Sequence, residues 1–86
     1  MNTDVILDYF NTETLNQCRV ALITVYDKTT SDYPNKYIAR LFDVNKPTKF
    51  ILVKDSLEDL KSLIPDYMHG MNRRSNDDPV ILEIYL

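Results

Sequence analysis

Lys36-Tyr37-Ile38-Ala39-Arg40-Leu41-Phe42-Asp43-Val44-Asn45-Lys46-Pro47-Thr48-Lys49-Phe50-Ile51-Leu52-Val53-Lys54 decides the fold. Two runs rich in β-branched and aromatic residues, 36–43 and 48–54, flank a short polar break, which predicts an antiparallel hairpin. The period of two places Tyr37, Ala39 and Leu41 on one face and Ile38, Arg40 and Phe42 on the other. Upstream, Arg19-Val20-Ala21-Leu22-Ile23-Thr24-Val25-Tyr26 has the same character and predicts a further strand. Its nearly unbroken apolar run suits a central strand covered on both faces. The polar stretch from Asp27 to Asn35 joins the two.

Downstream, residues 56–64 predict a helix. Asp55 is the expected N-cap, Glu58 follows at capping-box distance, and Leu57, Leu60, Leu63 and Ile64 form the apolar stripe that Pro65 ends. Residues 66–78 read as a loop and 79–86 as a closing strand, with Pro79 as its first residue. At the start, Val5, Ile6, Tyr9 and Phe10 follow a helical spacing over 4–10 that Asn2, Thr3 or Asp4 would cap, with a short strand as the alternative. Asn11 to Thr14 reads as a break. The expectation is one α+β domain over 1–86: a small three- to four-stranded, mainly antiparallel β-meander with one covering helix, a short N-terminal helix and a C-terminal strand. Leu22, Leu41, Leu52, Leu57, Leu60, Ile64, Leu82 and Ile84 are its expected core.

Composition narrows function more by exclusion than by pointing. The chain has 86 residues and a formal net charge of −3, which disfavours nucleic acid and anionic membranes and suits a partner with a basic surface. No apolar run is long enough to span a bilayer, and Met1-Asn2-Thr3-Asp4 lacks the basic start of a signal peptide, so a cytoplasmic protein is expected. A single cysteine, Cys18, cannot form an internal disulfide, and a single glycine, Gly70, cannot build a glycine-rich phosphate loop.

Candidate chemistry is sparse. His69 has Asp66, Asp77 and Asp78 in its part of the chain, so a small metal-dependent enzyme or module using these four residues is one reading. A solvent-facing histidine beside an aspartate turn is the plainer one. Cys18 adjoins Arg19, which would lower its pKa, but at the mouth of a strand it reads better as a small buried hydrophobe. The serines lack a nucleophile-elbow context. We expect no catalytic, cofactor or metal residues. The loop that carries Tyr67, Met68, His69, Met71, Arg73 and Arg74 combines aromatic, thioether and guanidinium groups, types enriched where proteins meet. It is the expected partner-binding surface.

Residues 19–64 resemble the HicB-type antitoxin fold and, more distantly, a double-stranded-RNA-binding domain. The resemblance rests on a three-strand meander leading through Tyr37-Ile38-Ala39-Arg40-Leu41-Phe42 to Asp55-Ser56-Leu57-Glu58-Asp59-Leu60. The antitoxins' Pro-Asp-Leu-Pro-Gly turn is replaced by Asp43-Val44-Asn45-Lys46-Pro47, and no DNA-binding segment follows. The acids Asp55, Glu58 and Asp59 stand where RNA-binding domains place lysines. The resemblance implies a small acidic protein that regulates or inhibits a protein partner. A homodimer joined through a sheet edge, or a subunit self-associating through its C-terminal strand, are the other readings.

Overall fold

A computed structural model describes residues 4–72 and 80–86 of the chain. The elements are β1 (Val5–Ile6), α1 (Thr12–Asn16), β2 (Ala21–Tyr26), β3 (Tyr37–Asp43), β4 (Lys46–Lys54), α2 (Leu57–Ser62), β5 (Gly70–Asn72) and β6 (Ile81–Tyr85). The strands form a single sheet in the order β1-β4-β3-β2-β6-β5. The β1–β4 pair is parallel and the others are antiparallel.

This corrects the expected three- to four-stranded meander with one covering helix: among the described residues the sheet is six-stranded and mixed, with two short helices. The meander β2-β3-β4 is present, but strands are added at both of its sides. Residues 4–10 do not form a helix. Val5 and Ile6 lie beside Phe50 and Ile51 of β4, and the Leu7 N–H donates to the Ile51 carbonyl at 2.8 Å. The helix falls instead where a break was expected. Asn11 caps α1, its Oδ1 accepting the Thr14 N–H at 2.8 Å. The loop 66–78 contains β5.

The register sorts side chains onto two faces. On the first, Ile23, Val25, Ala39, Leu41 and Leu52 are buried together with Phe10, Leu15 of α1, Leu60 of α2, Ile64 and Met68. Both helices pack on this face. On the second lie Leu22, Thr24 and Tyr26 of β2, Ile38, Arg40 and Phe42 of β3, and Ile51 of β4. Among the described residues no helix covers it. Of the expected core, Leu41, Leu52, Leu60 and Ile64 are buried, whereas Leu22, Leu57, Leu82 and Ile84 are only half-buried. Leu22 and Ile84 belong to the face without helices, which explains their exposure.

The second face is closed by polar contacts. Arg40 Nη1 and Nη2 donate to Asp4 Oδ1 and Oδ2, both at 2.8 Å, and Nη1 also donates to the Thr48 carbonyl at 2.7 Å. The Tyr33 hydroxyl donates to Asp4 Oδ2 at 3.1 Å, which ties the β2–β3 connection to the N-terminal segment. The pair is largely shielded, with 18% of the Arg40 and 11% of the Asp4 side chain exposed.

Two local departures have simple causes. Asp55 does not cap α2. It pairs with Lys36, and Ser56 takes the cap, accepting the Asp59 N–H at 3.3 Å. β4 begins at Lys46 and so includes Pro47, which is tolerated because β1 pairs only with Phe50 and Ile51. The two-residue β3–β4 turn holds Val44 at φ 58°, a strained region for a β-branched residue, with its N–H on the Val20 carbonyl.

Leu60→Ala should lower stability by ~2–5 kcal/mol in a urea melt, because the face packed by α2 cannot close fully over the cavity. A second expectation concerns pH. The Arg40 guanidinium holds the Asp4 carboxyl below the ordinary aspartate range, more than burial raises it. The unfolded chain therefore takes up this proton first. The stabilisation is complete above about pH 4 and is lost as pH falls through the lower folded value. Asp4→Asn should remove roughly 2–3 kcal/mol at pH 7 and flatten the acid limb of the stability curve.

Candidate functional site

The surface expected to bind a partner begins at the turn after α2. Pro65 ends the helical segment, and the Met68 N–H closes the turn on the Pro65 carbonyl at 3.0 Å. This turn separates the neighbouring side chains. Tyr67 projects outward with 71% of its surface exposed, whereas Met68 is buried in the core and anchors the segment. His69 continues into the sheet, its N–H donating to the Leu86 carbonyl at 2.8 Å and its carbonyl accepting the Leu86 N–H at 3.1 Å. Met71 is exposed. The structure thus brings Tyr67, His69 and Met71 to one sheet edge and withdraws Met68 from it. Arg73 and Arg74 lie outside the described residues.

The backbone of β5 is the chief feature of this edge. His69 and Leu86 exchange both hydrogen bonds, so antiparallel alternation makes Met71–Ile84 the next bonded pair. Gly70 and Asn72 fall in the alternate positions, and their N–H and C=O groups turn away from β6. Among the described residues no strand lies beyond β5. The edge is thus a short row of outward donors and acceptors, the template on which a further strand adds. Gly70 is required here by close approach. A Cβ at this position would lie 2.8 Å from Cε2 of Tyr85, whose ring covers it across the pair.

The C-terminal strand itself offers no edge. β6 pairs with β2 on one side and β5 on the other, so among the described residues the open edge on this side of the sheet belongs to β5. Glu83 of β6 meets Lys61 of α2 at 2.9 Å, and the Tyr85 hydroxyl donates to Glu83 at 3.2 Å, which fixes β6 under the helix.

A groove of about 600 Å³ opens beside Tyr67, between α1 and the end of α2. Tyr9 and Tyr67 are exposed members of its lining, and Phe10, Leu15 and Ile64 are buried ones. Sequence reasoning missed it, because a helix over 4–10 put Tyr9 on a buried stripe. In fact Tyr9 is 57% exposed.

The remaining chemical candidates do not converge. Among the described residues no group of three His, Cys, Asp or Glu side chains is placed to hold a metal. Asp77 and Asp78 lie outside the described residues. Burial, reinforced by Asp43, pushes the Cys18 thiol up, opposite to the lowering expected from Arg19. Among the described residues no helix is long and apolar enough to cross a membrane. No family model matches the chain, and no curated protein or solved structure matches it either.

Gly70→Ala should displace the Tyr85 ring and cost about 1–3 kcal/mol through overpacking. In amide-exchange measurements, the loss of protection should concentrate at Met71 and Ile84, with Ile23 and Leu41 little changed.

Proposed function

We propose that this protein is a small, non-enzymatic binding module that regulates or inhibits a protein partner, which it engages by strand addition along β5. The observation that carries this reading is the outward orientation of the Gly70 and Asn72 backbone on a terminal strand flanked by exposed Tyr67 and Met71. Backbone bonds supply affinity in this mode of recognition, and side chains beside the strand supply specificity. The net charge of −3 supports a partner with a basic surface. The resemblance of residues 19–64 to HicB-type antitoxins supports the inhibitory form of this reading.

Asn72→Pro tests the proposal. It deletes an outward N–H while leaving the His69 and Met71 bonds to β6 intact, and proline is tolerated on the open side of an edge strand. Wild type and variant are immobilised, exposed to extract of the source cells, and their captured proteins compared by mass spectrometry. The expected result is a discrete protein enriched by wild type and reduced about tenfold or more by the variant. The variant's melting temperature should stay within about 2 °C of wild type. Equal capture by both proteins would place the contact elsewhere. Capture of the chain's own second copy, lost in the variant, would make the same edge a homodimer interface.

A further inference from the structure

We infer that the groove between Tyr9 and Tyr67 is a second binding site, separate from the β5 edge except for Tyr67, and that it takes a basic, proline-rich segment in the polyproline II conformation. Tyr9 and Tyr67, 57% and 71% exposed, both line an open groove of about 600 Å³, and Pro65 adds a rigid apolar surface to the lining. Solvent-facing aromatic rings bordering a shallow groove are the means by which folded domains grip the ridges of proline-rich peptides.

The polar groups fit the same occupant. A polyproline II segment has no internal hydrogen bonds, so its carbonyls need donors from the receptor. The two tyrosine hydroxyls are such donors. Asn11 provides another: its Oδ1 is committed to the Thr14 N–H, which leaves its Nδ2 to donate. Charge selects a basic peptide. Asp66 lines the groove, whose described lining residues include no Lys or Arg, and exposed Asp8 and Glu13 adjoin that lining in the chain. An arginine next to the proline stretch would meet Asp66, which makes no ion pair among the described residues.

The test uses a fluorescein-labelled peptide of Pro-Leu-Pro repeats with arginine at one end, titrated with the full chain by fluorescence anisotropy at about 50 mM salt, where surface charge is weakly screened. The expected result is saturable binding, weakened about tenfold by Tyr9→Ala and several-fold by Asp66→Asn, with the melting temperatures unchanged. Amide shifts on titrating the wild type should cluster at Asn11, Thr12 and Asp66 and spare Val44 and Asn45, a readout that does not depend on how any variant folds. A peptide with every proline replaced by alanine should not saturate. The inference is overturned by absence of saturable binding up to about 1 mM peptide, by equal binding of the alanine peptide, or by shifts centred outside the groove. Because Tyr9 is remote from β5 in the chain and takes no part in the edge, loss of strand addition in Asn72→Pro leaves this outcome independent.

Discussion

Hydrogen bonding of β6 to β2 on one side and to β5 on the other determines where the sheet ends. With β6 inside, the last strand of the chain is no longer a free edge, and a three-residue strand takes that position. The same placement brings Glu83 under Lys61 of α2 and the Tyr85 ring over Gly70, so helix, sheet and edge are fixed by residues from one short segment. Burial and the Glu83 carboxylate both push the Tyr85 hydroxyl up, which keeps it a neutral donor toward Glu83. The edge that results is short and uncharged over its three residues. It does not present the long flat template that leads to aggregation.

The two faces of the sheet are stabilised differently. On one, two short helices contribute Leu15 and Leu60 to an apolar core that closes around Ile23, Leu41 and Leu52. Neither helix is long enough to stand alone, and both depend on that burial. On the other, a two-point ion pair between Asp4 and Arg40 joins the N-terminal strand to the middle of the sheet, and Tyr33 brings the β2–β3 connection onto it. Arg40 thereby bonds two separated parts of the chain, Asp4 just before β1 and, through the Thr48 carbonyl, the irregular start of β4, while Tyr33 brings in the β2–β3 connection through Asp4. The guanidinium's fork of donors suits this role in a way that a lysine would not.

What the sequence revealed follows from the range over which each signal acts. The alternation in 37–43 and 46–54 and the β-branched run 21–26 are local, and those strands stand where they were read to within about two residues. The cap of α2 moved by one residue because Asp55 has a partner in Lys36, nineteen positions away, which no local pattern reports. The spacing of Val5, Ile6, Tyr9 and Phe10 satisfies a helix, but Asp4 is drawn to Arg40 and the chain extends along β4 instead. α1 was legible in principle, since Asn11 with Glu13 in the first turn is a helix start, yet its few residues carry too little apolar periodicity to register. β5 has no signal of its own, because Gly-Met-Asn becomes a strand only by pairing with β6. Tyr67 and Met71 are exposed, whereas the adjacent Met68 turns inward, a division made by the turn rather than by composition.

The proposed strand addition requires β5 to be a bonded strand with one open side, and native-state amide exchange measures this directly. The amides of His69 and Met71 should be protected by their bonds to β6, while the Gly70 amide between them exchanges at nearly the rate of an unstructured peptide. Equal protection at all three positions would mean that the outer side of β5 is already occupied. Equal lack of protection would mean that β5 is not docked, and either result would contradict an edge poised for strand addition.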